Sequence, residues 1–282
     1  MTNPVSAGGT PSAARAPHEA LILAAGYGSR LRSLGTSKPL TSIAGITLLE
    51  LGIRQAIAAG VERVVVVTGH EAEQVEAVLP ALAQKCSVTV EARRVADWSR
   101  PNGWSVLAGA EAIEADYLLM MADHIFSRPI LTELVRQGGA SRGVTLAIDR
   151  RVDSPLVDPD DATWVRTSRS GRIRAIGKSL TDFDAVDCGA FLATRELAAA
   201  ISEAISSGLP GTLSDGMQWL ADRGRAQTMD IGDAWWIDVD DAQMHRLAEA
   251  MVETELPEVY RPVHGRAGFR DLLVGAPASQ FM

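Results

Sequence analysis

The stretch EALILAAGYGSRLRSLGTSKPL, residues 19–40, decides the reading of this chain. An apolar run over 20–25 breaks off into Gly26 and Gly28. Ser29 and Arg30 follow, and Lys38 and Pro39 come eight residues after the arginine. A short apolar run bounded by glycine reads as a strand buried in a parallel sheet. Glycines placed directly after such a strand expose backbone N–H groups with no Cβ in the way, which is a general way to hold phosphate. Two better-known phosphate loops do not fit. A P-loop needs G-x-x-x-x-G-K-[ST], which the stretch lacks, and the fingerprint G-x-G-x-x-G fails because Leu31 stands where the third glycine belongs. A plain strand-to-helix turn would explain the glycines, but it would not require Arg30 and Lys38.

Outward from this loop, the first half alternates strand-sized apolar runs with helical spacing. Helices are expected over 47–60, 71–84 and 103–115, and strands over 61–70, 87–92 and 116–124. That order implies a doubly wound α/β sheet with ligands at the carboxyl ends of its strands. The second half brings strand-like runs at 143–150, 162–168, 172–180 and 185–194, divided by polar turns such as DSPLVDPDD. Helices at 195–208 and 213–224, strands at 226–231 and 234–240, and a helix at 241–255 complete it. These suit a mixed extension of the same sheet. One domain is expected over 19–255, after a disordered leader (1–18) and before a tail (256–282) with no clear period.

A net charge of -8 argues against a nucleic-acid groove or an anionic membrane surface as the main partner. Cys86 and Cys188 have no metal-type spacing, which fits a reduced, cytoplasmic setting, and no apolar run approaches a membrane span. Lysine is confined to Lys38, Lys85 and Lys178.

LAAGYGSRLRSLGTSKPL resembles the signature L-x-A-G-x-G-[ST]-R-[LM]…K-P of the sugar-phosphate nucleotidyltransferases. The resemblance implies a Rossmann-like, GT-A-like doubly wound mixed sheet of the nucleotide-diphospho-sugar transferase type. It also implies transfer of a nucleotidyl group from an NTP to a phosphorylated polyol or sugar, with release of pyrophosphate. Leu23, Ala24, Ala25, Gly26, Gly28 and Ser29 would then wrap the nucleotide, and Arg30 and Lys38 would be catalytic, neutralising charge on the attacked phosphate.

Such chemistry calls for Mg²⁺ held by carboxylates. Asp123 ends the apolar strand LLMMAD, a ligand position in an open α/β sheet. Asp238 and Asp240 share one face of WWIDVD, and Asp241 begins the next helix, where aspartate is a common cap. By resemblance, Asp123 and Asp238 are the metal pair and Asp240 a reserve. The same DVD also reads as the D-x-D of sugar-nucleotide glycosyltransferases, but that reading leaves 26–38 unexplained.

RPNGWSVLAG (100–109), IGKSLTDFDAVDCGAF (176–191) and LSDGMQWLADRGRAQTMDIGDAWWIDVDD (213–241) resemble a narrower group, the inositol-1-phosphate cytidylyltransferases. This favours CTP and inositol 1-phosphate. It places Lys178, Asp187 and Gly189 at the acceptor, with Asp184 the weaker carboxylate, and Asn102 and Gly103 near the base or ribose. Trp104, Trp235 and Trp236 would wall the pocket or pack in the core, and His124 would support Asp123. The alternatives are a sugar-1-phosphate or cyclitol-phosphate transferase using UTP, GTP, ATP or dTTP, and a non-catalytic nucleotide-sugar sensor. A homo-oligomer is compatible with the sequence.

Overall fold

The computed structural model describes residues 18–34, 37–137 and 143–260. All but His18 of the expected leader, and the tail beyond residue 260, lie outside these. The first half runs β1 (Glu19–Ala24), two 3₁₀ turns (Ser29–Leu34 and Lys38–Leu40), β2 (Ser42–Ile43), β3 (Ile46–Thr47), α1 (Leu48–Ala58), β4 (Arg63–Thr68) and α2 (Ala72–Cys86). It continues through β5 (Thr89–Arg94), α3 (Asn102–Ala110), β6 (Tyr117–Met121), β7 (His124–Phe126) and α4 (Arg128–Gln137). The second half runs β8 (Val144–Asp149), β9 (Trp164–Thr167), β10 (Ile173–Gly177), β11 (Ala185–Ala193), α5 (Arg195–Ser206) and α6 (Leu213–Asp222). It ends with β12 (Ala226–Asp230), β13 (Trp236–Asp238), α7 (Ala242–Glu255) and α8 (Pro257–Tyr260).

β1 lies at the heart of a nine-stranded mixed sheet, parallel to β4 on one side and β6 on the other; Leu21 stands opposite both Val65 and Leu119. Burial on both faces explains the unbroken apolar runs of these strands. Ala20, Ile22 and Ala24 face a layer that includes Leu49 and Ile53 of α1 and Leu79 of α2. Leu21 and Leu23 face the opposite layer, with Val106 of α3 and Leu197 and Ile201 of α5. β11 runs antiparallel to β6 and pairs with β8 and β9, so the second half extends the first sheet in mixed sense. A third apolar cluster joins Leu31 and Ile43 to Ile125, Ile237, Val239 and Met244 beneath α7.

The sequence placed one strand over 116–124; the chain instead turns at Ala122 and Asp123, and β7 leaves the main sheet to pair with β13. The helix α4 was not anticipated. It buries Ile130, Leu131 and Leu134 on one side, and Val135 packs against the same layer. Part of the tail has a place: α8 follows α7, and the Tyr260 hydroxyl donates to the Ile43 carbonyl at 2.9 Å.

Ile22 is fully buried. Ile22→Ala should therefore cost about 2–5 kcal/mol in denaturant unfolding, since the fixed sheet on either side cannot collapse into the cavity.

Candidate active site

The glycine loop leaves β1 at the carboxyl edge of the sheet. Gly28 has φ +60°, and a Cβ there would lie 2.6 Å from Cβ of Lys38. A side chain at 28 would therefore both strain the backbone and evict the lysine, and this is why glycine stands here. Leu23, Ala24, Gly26, Gly28, Ser29, Arg30 and Lys38 line a cavity of about 200 Å³ that also reaches Asp123 and Asp240. The Ala25 carbonyl instead accepts from the His70 N–H at 3.0 Å, tying the loop to the end of β4.

The carboxylates come to the same place by register. His124 of β7 pairs with Asp238 of β13, and the Val239 N–H donates to the Asp123 carbonyl at 2.9 Å, so Asp123 and Asp238 are held side by side. Lys38 Nζ, nearly buried, donates to Asp123 at 2.6 Å and also to Asp240. Arg30 donates to Asp158 at 3.0 Å, to Asp161 at 2.5 Å and to Asp240. The reserve residue of the sequence reading, Asp240, thus joins both basic side chains. Asp241 is the cap of α7, accepting from the N–H groups of Gln243 and Met244.

These contacts set the charge states. Burial pushes the Asp123 carboxyl up, but the Lys38 ammonium and the His124 ring outweigh it and hold Asp123 well below the carboxylate range. Burial would lower His124, yet the charge of Asp238 and the 2.8 Å bond to Asp123 raise it to about 9. Asp238 is raised by burial and by the neighbouring charge of Asp123. Its Oδ1 is buried without a hydrogen-bond partner. Asp123, His124 and Asp238 each offer a donor atom within 4.8 Å of the others, as do Asp161, Asp238 and Asp240. Four carboxylates, at 123, 158, 161 and 240, pair with the cations of Arg30, Lys38 and Lys178, and Asp238 lies among them. A buried carboxylate oxygen that has no hydrogen bond and only the His124 ring, at 3.6 Å, as an ion-pair neighbour lies here among hard oxygen donors, and such a set fits a divalent cation.

A second cavity of about 190 Å³ opens beside the first, lined among others by Asp161, Lys178, Asp187, Gly189 and Asp238. Lys178 follows directly on β10 and its Nζ meets Asp161 at 2.5 Å. Asp187 is pushed up to about 6 by burial, against which the Gly189 N–H at 2.7 Å works only in part. Gly189 has φ +75°, and a Cβ there would strike the His124 ring at 2.4 Å. Asp184 is turned elsewhere, tied to Thr167 at 2.8 Å.

Asn102 borders this second cavity, and its Oδ1 accepts from the Leu213 N–H at 2.8 Å, which anchors α6. Gly103 is glycine because a Cβ would lie 2.3 Å from the Gly211 carbonyl oxygen, so protein backbone accounts for the close approach. Trp235 and Trp236 are buried in the core. Asp158 and Asp161 were missed. They belong to DSPLVDPDD, read as a turn; its crowding of aspartates was the available signal.

Residues 20–179 match the model of the MobA-like NTP transferase domain. The chain belongs to that family. It is accordingly an NTP transferase, an enzyme of nucleotidyl transfer. The bifunctional IPC transferase and DIPP synthase of Rubrobacter xylanophilus is 37% identical over 83% of this chain and 51% of its own length, and that of Aquifex aeolicus is 27% identical over 85% and 53%. The transferase described here thus spans about half the length of these relatives. Its fold is shared with the inositol-1-phosphate CTP transferase from T. maritima (TM-score 0.74, 24% identity, 86% of this chain and 98% of that one). It is shared too with a UDP-glucose pyrophosphorylase complexed with UDP-glucose (0.70, 17%, 83% and 97%).

Adding Mg²⁺ or Mn²⁺ should raise the melting temperature of the transferase, and Asp238→Asn should remove most of that rise. Without metal, the raised His124 stabilises the fold fully below pH 6.5, and that contribution is lost as pH rises towards 9. The stability difference between the parent and His124→Gln, followed by chemical denaturation, should therefore be widest at pH 6 and shrink by pH 9.

Proposed function

We propose that the transferase moves a cytidylyl group from CTP to inositol 1-phosphate, releasing pyrophosphate. The observation that carries this reading is the meeting of the two cavities at one charge cluster, with Arg30 and Lys38 on the glycine-loop side and Lys178 on the other. The triphosphate lies along the loop formed by Leu23, Ala24, Ala25, Gly26, Gly28 and Ser29, taking hydrogen bonds from exposed backbone N–H groups. Lys178 holds the acceptor phosphate as a point charge, while Asp187 accepts from the acceptor's hydroxyl groups and Gly189 leaves room beside them.

A phosphate oxygen of the acceptor attacks the α-phosphorus in line, a new phosphoanhydride bond forms, and the bond to the β-phosphate breaks with its electrons leaving on pyrophosphate. The attacking group is already an anion at neutral pH, so no side chain has to remove a proton. Arg30 and Lys38 stabilise the charge that builds on the α-phosphate oxygens. In the free protein Asp158, Asp161 and Asp240 occupy these cations, so the triphosphate exchanges places with carboxylates rather than meeting bare charges. Mg²⁺ held by Asp123 and Asp238 would neutralise phosphate charge and fix the phosphate oxygens. The 37% identity to the IPC transferase and DIPP synthase of Rubrobacter xylanophilus supports the acceptor, and the carboxylate of Asp187 on the lining of the second cavity supports a polyol.

Pyrophosphate release with Mg²⁺ and inositol 1-phosphate, compared across CTP, UTP, GTP, ATP and dTTP, tests the reading. CTP should be the productive donor. Release only with a sugar 1-phosphate or a cyclitol phosphate would replace the acceptor, and silence with every pair would leave a nucleotide-binding protein without the activity. Arg30→Ala should lower kcat/KM by about 10²–10³-fold, whereas Lys178→Ala should act mainly on the KM of the acceptor.

A further inference from the structure

Tyr27 and Trp98 are 43% and 42% exposed, two of only three large hydrophobic side chains so exposed among the described residues. Their rings lie nearly parallel, 8° apart in plane with centroids 5.9 Å apart. Both stand close to perpendicular to the His70 imidazole, at 4.7 and 4.9 Å. The three come from three separate turns: Tyr27 from the glycine loop, His70 from the turn after β4, and Trp98 from the turn after β5. Backbone contacts hold them in place. The His70 N–H bonds to the Ala25 carbonyl, and a Cβ on Gly69 would lie 2.7 Å from Cβ of Trp98 and 2.8 Å from the oxygen of Ala25.

An aromatic cluster that only filled space would lie in one of the two sheet layers, where each ring could bury 150–250 Å². This one stands at the carboxyl edge of β1, β4 and β5, half open to water and next in sequence to the two glycines of the phosphate cavity. Resting on the proposed placement of an NTP along that loop, we infer that Tyr27 and Trp98, backed by His70, form the surface on which the nucleobase stacks. A planar ring held between Tyr27 and Trp98 would need about 7 Å, twice the optimal carbon–carbon separation. The base therefore lies against the exposed side of the pair. Every base has a π-face, so the stack contributes affinity without choosing among bases.

The test compares the parent with Trp98→Ala, Trp98→Phe and Tyr27→Ala, with inorganic tripolyphosphate as a competitor that has phosphates and no base. In Trp98→Ala the KM for CTP should rise about 5- to 100-fold, and the KM values for UTP and ATP should rise by the same factor. The acceptor KM and the inhibition constant of tripolyphosphate should stay unchanged, and Trp98→Phe should recover most of the loss. CTP, but not tripolyphosphate, should quench the tryptophan fluorescence of the parent, and this quench should vanish in Trp98→Ala. An unchanged KM for CTP in both alanine variants overturns the inference while leaving nucleotidyl transfer intact. So does an equal loss towards CTP and tripolyphosphate, which would mean that the rings merely support the loop. If the parent transfers no nucleotide at all, the functional reading fails, and the fluorescence comparison still decides the stack. Absence of any CTP quench overturns it.

Discussion

The ammonium of Lys38, held between Asp123 and Asp240 at the carboxyl edge of the sheet, is the contact on which the site is built. Removing an ammonium from water is costly, and only a close pair of carboxylates offsets that cost. The three groups come from three distant parts of the chain: the turn after the glycine loop, the end of β6, and the segment between β13 and α7. None of the three has its partner unless the other segments are docked. Gly28 belongs to the same device, because only a residue without a Cβ lets the lysine stem lie against the loop.

The cluster is poised rather than satisfied. Asp238 Oδ1 is buried without a hydrogen-bond partner, while Asp123 is held ionised by its neighbours. One carboxylate, Asp161, links Arg30 of one cavity to Lys178 of the other, so the two cavities share a counter-ion. Phosphate groups replacing carboxylates around fixed cations would change little in the local charge balance, so the cations need not move to accept them.

The strand–glycine–arginine–lysine order of 19–40 was legible because each feature is local. The apolar runs of β1, β4 and β6 were legible because burial on both faces leaves no polar positions. Asp123 could be placed because an apolar run ends at it, whereas Asp238 was placed through the family resemblance. Asp158 and Asp161 could not. Their partner, Arg30, lies more than a hundred residues away in the chain, and nothing in a loop of aspartates and prolines fixes which way they face. Asp240 was undervalued for a similar reason: it was read as lying on the strand, whereas β13 ends at Asp238 and frees the chain to turn Asp240 towards both cations. Asn102 and Gly103 also have contacts that the sequence does not show, since a glycine next to an amide looks alike whether it approaches a ligand or the backbone leading into α6.

Leu31, one residue beyond Arg30, is buried in the small third cluster with Ile43, Ile237, Val239 and Met244, apart from the two layers that sandwich the sheet. The shape of the loop therefore rests on a core far smaller than the one that holds the fold. On heating, such a core gives way first. The enzyme would then lose its working geometry at a temperature where the central sheet is still intact, and inactivation would precede unfolding.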